Sequence, residues 1–415
     1  KLEYADDVLL CSAGTANWTA EKTRKSLAAH GVSIIEVKRV RDDGNKQEHK
    51  NGFNGRQNGV WKVVRPSKYA RRITGYTPIA IGGPAAGDAR LVTSADPTGR
   101  LALGTLNNCA MGFTPWGTYL ACEENFNGYF RKTGTQTAIE RRYGITAGGF
   151  GYLWHTTDTR FNADIEPNEA HRFGWVTEID PFKPDSRPVK RTALGRFKHE
   201  GAWFQEARDG RAVVYSGDDE QNEYIYRYVS RLPWRESFAQ GVHPLDDGTL
   251  FVAKFHVNGS GEWLALTPDN PALAGRTLAD ILINTRAAAD AVGATMMDRP
   301  EWIDTFPDRL TAIATCTNNS RRGTTPPSVN AADGSSAASS ARPPTDAVNP
   351  RASNVYGHIV TWSYRADWTE PDFRWDLFAL AGDPAVPAHG STIVGDRYGS
   401  PDGISPSGRK SDGGL

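Results

Sequence analysis

Cysteine is scarce: Cys11, Cys109, Cys122 and Cys316 are the four in a chain of 415 residues. Four cysteines cannot build a disulfide framework for a chain of this size. No apolar run approaches the roughly 20 residues that a membrane helix requires, so no membrane span is expected. Charge of one sign is missing too, because 48 Lys and Arg balance 48 Asp and Glu. Without a net field, nucleic acid or an anionic membrane is not expected as a stable partner. The first residues, KLEYADDVLLCSAG, lack the basic, apolar and small-residue order of a signal peptide. There is no GxSxG elbow, no Walker-type GxxxxGK[ST] and no HExxH helix, and the nine histidines do not cluster. These absences remove the serine-hydrolase, P-loop and zincin readings.

Turn formers and aromatics are abundant. There are 42 Gly, 25 Pro, 12 Trp, 14 Tyr and 16 Phe, and runs at helical spacing are few. The best of these is 277–291, TLADILINTRAAADA, where Thr277 can cap the start. Residues 1–58 are polar, with an alternating strand at 33–37 and an exposed loop at 38–59. From 59 onward come short β-like runs between Gly, Pro and Asp turns: 60–64, 119–123, 173–180, 212–218, 223–229, 249–257, 261–267, 310–317 and 358–364. The pattern predicts an all-β sandwich, barrel or propeller. Residues 320–353 are rich in Ser, Ala, Pro and Gly and are expected to be a long surface excursion.

The densest chemistry lies in 105–130, TLNNCAMGFTPWGTYLACEENFNGYF. Cys109 precedes a Gly/Pro/Trp turn, and Glu123 and Glu124 stand where the next strand ends. Thiolates suit transition metals and clustered carboxylates suit hard cations such as calcium. The plain alternatives are a small buried cysteine and a solvated acidic edge; Cys109 and Cys122 could also pair across the turn, although a free Cys109 is favoured. Neighbouring Glu123 and Glu124 point to opposite faces of a regular strand, so both reach one site only if the strand ends there. In KHEGAW either His199 or Glu200 could ligate, with Gly201 permitting close backbone approach. In Asp218-Asp219-Glu220, alternation sets Asp219 apart from the other two. Arg299 and Glu301 flank Pro300, which is expected to hold the backbone extended so that both share a face.

The run NNCA-x-G-x-TPWGT-x-L-x-CEEN-x-NGYF resembles the signature of the PhoX-type alkaline phosphatases. Five further stretches agree in order: FKHEGAWF (197–204), YSGDDEQNEYIYRYVS (215–230), DRPEWID (298–304), YGHIVTW (356–362) and SPDG (400–403). The resemblance implies a β-propeller of about six divergent blades over 59–415, with the 1–58 segment packing on it or leading into it. It implies metal ligation by Cys109, Glu123, Glu124, Glu200, Asp219, Glu301 and Asp402. Asp402 is the weakest of these, since the letters after SPDG depart from the family pattern.

Catalytic roles fall to Arg299, Cys109 and Glu301, with Arg299 also gripping substrate phosphate. The implied cofactors are two oxo-bridged Fe3+ and two or three Ca2+. The implied reaction is hydrolysis of small-molecule phosphate monoesters by a monomer, in the periplasm or outside the cell after twin-arginine export. A phosphodiesterase or lactonase on the same propeller is the alternative enzyme, and a calcium-stabilised binding module the alternative without catalysis. Cys109 argues against the last, because a site for calcium alone has no use for a thiolate.

Overall fold

The computed structural model describes residues 14–40, 60–386 and 395–406. Cys11 and most of the 38–59 loop lie outside the described residues. Two large sheets dominate. One has nine strands, and from edge to edge these begin with His199–Glu206, Arg211–Asp218, Ile225–Pro233 and Gly248–Phe255. Ser260–Ala265 then bridges to Asp372–Leu380, His358–Ser363, Thr311–Cys316 and Pro300–Thr305. The other has six strands: Leu101–Leu103, Pro78–Gly82, Val189–Arg191, Val176–Ile179, Tyr119–Glu123 and Asn108–Phe113.

Three antiparallel four-stranded meanders make up most of this: 108–191, 199–255 and 300–380. Among the described residues these three are the complete blade-like units. The innermost strand of each, Asn108–Phe113, His199–Glu206 or Pro300–Thr305, is a sheet edge. These edges are buried by one another: His199–Glu206 packs on both of the others. Covering an edge in this way removes the open hydrogen-bonding ladder that would otherwise invite association.

The middle meander shows why so many letters are apolar. Its side chains alternate between two cores, with Val214, Tyr226, Tyr228, Leu250 and Val252 facing the first meander. Val213, Tyr215, Ile225, Val229 and Ala253 face the third, where Trp263, Trp362 and Phe373 fill the interface. Strands buried on both faces read as nearly continuous apolar runs, which is how 212–218 and 223–229 stand out in the sequence.

Helix Ala20–Ala29, capped by the Thr19 side chain, buries Leu27 in an aromatic cluster with Phe126, Tyr129, Trp154 and Phe161. The helical pattern at 277–291 is observed as Leu278–Ile283 and Thr285–Ala291, broken at Asn284, with Thr277 accepting from the Asp280 amide.

The 320–353 stretch is an irregular excursion between the strands Thr311–Cys316 and His358–Ser363, as its composition predicts, but it docks on the scaffold through polar side chains. Arg322 is fully buried and pairs with Asp298 at 2.5 Å. Asn330 and Asn349 are buried as well, and the Ala341 carbonyl accepts from Asn222 Nδ2 at 3.0 Å. Polar side chains here do the docking that apolar ones do elsewhere, so hydropathy did not reveal it. No helix among the described residues is long and apolar enough to cross a membrane.

Candidate active site

The three inner strands share a local irregularity. Each carries one residue more than its hairpin partner, between Asn108 and Met111, between Glu200 and Trp203, and between Pro300 and Ile303. Such a bulge bends the strand and re-aims the side chains beside it. Cys109, Glu200 and Glu301 sit at these three steps and turn toward one another. Two glycines let the strands come close enough. A Cβ on Gly112 would lie 1.9 Å from the Ala202 carbonyl oxygen, and one on Gly217 would lie 2.4 Å from that of Glu301.

The ligating atoms of Cys109, Glu124 and Glu200 all lie within 4.8 Å of one another, as do those of Glu200, Glu301 and Asp402. Glu200 belongs to both groups, so one thiol and four carboxylates form a continuous cluster. Burial, with Asp219 and Glu200 adding repulsion, pushes Glu124 up to about 8. Burial also drives Glu200 up to about 8, against a hydrogen bond from Cys109, and takes Glu301 up to about 10 with repulsion from Asp219 and Glu200. Burial and the Glu200 carboxylate likewise hold the Cys109 thiol far above its usual range. Glu124 Oε1 and Glu200 Oε2 are buried with no hydrogen-bond partner. Acceptor-only groups packed this way need positive charge, and a bound cation reverses the sign of every one of these shifts. The donors suit two kinds of ion: the thiol a transition metal, the carboxylates hard cations.

Arg299 borders the cluster. Its Nε and Nη2 donate to Asp219 Oδ1 and Oδ2 at 2.9 and 2.8 Å, and Nη2 lies 3.6 Å from Glu301 Oε1. Two of its five N–H donors are thereby used, and the Nη1 edge remains for an anion. Its backbone has φ +58°, so the extended geometry expected around Pro300 does not extend to Arg299. A non-glycine residue is rarely held there, and such positions concentrate at functional sites. The flanking contacts enforce it: the Arg299 carbonyl accepts from the Thr317 amide, while Asp298 is locked by Arg322, Asn319 and Asn354.

A cavity of about 450 Å3 opens beside Arg299 and Asp219, with Lys198, Glu220, Arg321 and Phe150 on its walls. A thiol, a cluster of converging carboxylates and an arginine at the mouth of a cavity match a metal-dependent site for an anion. The family model for "Alkaline phosphatase PhoX" matches residues 2–409. The chain belongs to the PhoX alkaline phosphatase family.

A solved structure, Pseudomonas fluorescens PhoX in complex with vanadate, a transition state analogue, is similar to it at 42% identity with a TM-score of 0.82. The similarity covers 96% of this chain and 67% of that one. No curated protein matches the chain.

Of the seven residues to which the PhoX resemblance points as ligands, the fold brings six to one place, Asp219 among them through its fork with Arg299. Glu123 is the exception: it is a core residue and not part of the cluster. The strand ends after it, yet its side chain turns into the core. Its Oε1 accepts from Lys190 Nζ at 2.8 Å and from the Leu106 amide at 3.3 Å. Its Oε2 accepts from the amides of Gly174 and Trp175. Both Glu123 and Lys190 are fully buried, and this is an internal ion pair. Glu124 turns the other way because its amide donates to the carbonyl of Asn107, a residue with φ +50°.

Asp218 and Glu220 are likewise taken, by Arg286 at 2.5 Å and by Lys198 at 2.5 Å. His199 spends Nδ1 on Ser216 and Nε2 on the Gly195 carbonyl, and burial holds its pKa down at about 3. Cys109 and Cys122 are both free thiols, the second buried in the core. Sequence reasoning passed over Lys198 and Arg321. Lys198 stands two residues before Glu200 inside FKHEGAWF, a signal present in the sequence. Arg321 was hidden by the bland composition around it.

Proposed function

We propose that this chain hydrolyses phosphate monoesters at a mixed iron–calcium centre held by Cys109, Glu124, Glu200, Asp219, Glu301 and Asp402, releasing inorganic phosphate. The observation that carries the reading is the convergence of one thiol and four carboxylates, with two of their oxygens buried and unpartnered, beside the Arg299 fork. Family membership and the vanadate complex of the similar Pseudomonas fluorescens protein support it, since vanadate there is a transition state analogue. We propose an exported location as well, on the family resemblance alone.

When bound, such cations would supply the positive charge that a transferring phosphoryl group requires. The protein's own residues then have separable tasks. Asp219 clamps one edge of the Arg299 guanidinium and points the other edge at the cavity, where a planar fork can bind phosphate oxygens in parallel. The strained backbone at Arg299 fixes that direction before substrate arrives, so little ordering remains to be done on binding. Lys198, neutralised by Glu220, borders the same space, and Phe150 gives it an apolar side.

The test is elemental analysis of purified protein alongside p-nitrophenyl phosphate turnover, for wild type and Cys109→Ser. Wild type should carry iron and calcium, and Cys109→Ser should lose iron and activity together while staying folded. A protein holding calcium alone, with no turnover, would favour a calcium-stabilised binding module instead.

A further inference from the structure

We infer that Arg321 forms a second anion-binding subsite, for a negatively charged group on the alcohol portion of the ester, and so selects doubly anionic substrates. The inference rests on the phosphatase reading above and extends the same cavity away from the cluster. Five charged side chains line that cavity: the cations Lys198, Arg299 and Arg321, and the carboxylates Asp219 and Glu220. Each carboxylate already has its cation. Asp219 holds Arg299 in a two-point fork, and Glu220 holds Lys198 and accepts from the Ser339 hydroxyl. Arg321 is left over, half-buried, with no carboxylate partner among the described residues.

Its position is not accidental to a floppy loop. The Arg321 and Arg322 amides both donate to Asn319 Oδ1, at 3.0 and 3.2 Å. Asn319 Nδ2 donates to Asp298 Oδ1 at 3.0 Å, and Arg322 pairs with the same carboxylate. Asp298 directly precedes Arg299, so one buried polar knot sets the backbone of both arginines. The ester's phosphate at Arg299 and a carboxylate or second phosphate at Arg321 would lie in one space, with the intervening carbons against Phe150. A half-buried arginine has lost part of its hydration and gains most from a partner that neutralises it and matches its fork.

The experiment compares two esters of near-identical shape, 3-phosphoglycerate and glycerol 3-phosphate, on metal-replete wild type, Arg321→Gln and Arg321→Lys. Arg321→Gln should lower kcat/KM for 3-phosphoglycerate by about tenfold or more and change glycerol 3-phosphate by less than about threefold. Arg321→Lys should restore part of the loss, and inhibition by inorganic phosphate should be the same in all three proteins. Equal losses on both esters, or no loss on either, would overturn the subsite while leaving the phosphatase reading intact. Wild type that hydrolyses neither ester would overturn that reading and the subsite with it.

Discussion

Glu123 and Glu124 are adjacent letters with opposite fates, and substituting each by glutamine separates them. In Glu123→Gln the amide oxygen can still accept from Gly174 and Trp175. The amide nitrogen then faces the Leu106 amide and the Lys190 ammonium, donor against donor. Lys190 keeps the Arg172 carbonyl at 2.7 Å, the Phe173 ring at 3.8 Å and the weaker attraction of Glu169, in a site with no solvent access. Removing one partner of a buried pair costs about 3–5 kcal/mol, because the remaining charge stays uncompensated. Unfolding entropy of about 2 cal/mol/K per residue gives roughly 0.9 kcal/mol/K for 415 residues. The expected fall in Tm is therefore about 3–6 °C.

The assay is calorimetry on chelator-treated protein, so that metal linkage does not enter, with metal content measured on separately reconstituted samples. Glu123→Gln should lose stability and keep near wild-type metal content. Glu124→Gln should keep its metal-free Tm or gain slightly, since a crowded carboxylate is removed, and should lose metal. Adding Lys190→Met to Glu123→Gln removes the stranded charge and should recover about half the loss. If Glu123→Gln instead loses metal at an unchanged metal-free Tm, then Glu123 is a ligand and the ion pair with Lys190 is not what places it.

Three further outcomes are expected. Arg299→Lys keeps the charge and loses the fork, so metal content should hold while kcat/KM for phosphate monoesters drops by about 10–100-fold and phosphate inhibition weakens in parallel; unaltered kinetics in metal-replete protein would remove Arg299 from the site. Replacing 320–353 by a short Gly/Ser linker should destabilise the fold strongly, since it strips Asp298 of Arg322, and Arg322→Met alone should cost about 3–5 kcal/mol in denaturant titration; tolerance of either change would restore the idea of a loose excursion. His171 is buried with Nδ1–H donating to the Arg90 carbonyl, and burial holds its pKa down at about 3. Its folded value lies below the unfolded one of about 6.5, so its contribution is intact above that pH and falls away below it, by about 3 kcal/mol at pH 4. His171→Gln keeps the donor and should flatten the acid limb of stability against pH; an unchanged limb would assign the loss to other groups.

Much could be read from the letters, and for identifiable reasons. Strands buried on both faces need apolar residues throughout, so 212–218, 223–229 and 358–364 announced themselves, as did the Thr277 cap. Cys109, Glu200 and Glu301 were recognisable only because the motifs that carry them resemble those of the PhoX family; by residue type alone each also has an ordinary structural reading. The strands that carry those three residues were not recognised as strands. Their bulges break the period of two, and their glycines and prolines read as turns. Adjacent acids posed a problem that no local pattern resolves. Whether Glu123 or Glu124, or Asp218 or Asp219, faces the site depends on where Lys190, Arg286 and Arg299 stand, all far away in sequence. Composition misled most at 320–353, because a segment can dock through buried arginine and asparagine contacts as firmly as through leucines. Pairing of a buried charge is a property of the folded chain: in this protein it marks Glu123, Asp218 and Glu220 as structural acids, while Asp219 is paired with the arginine that borders the cluster.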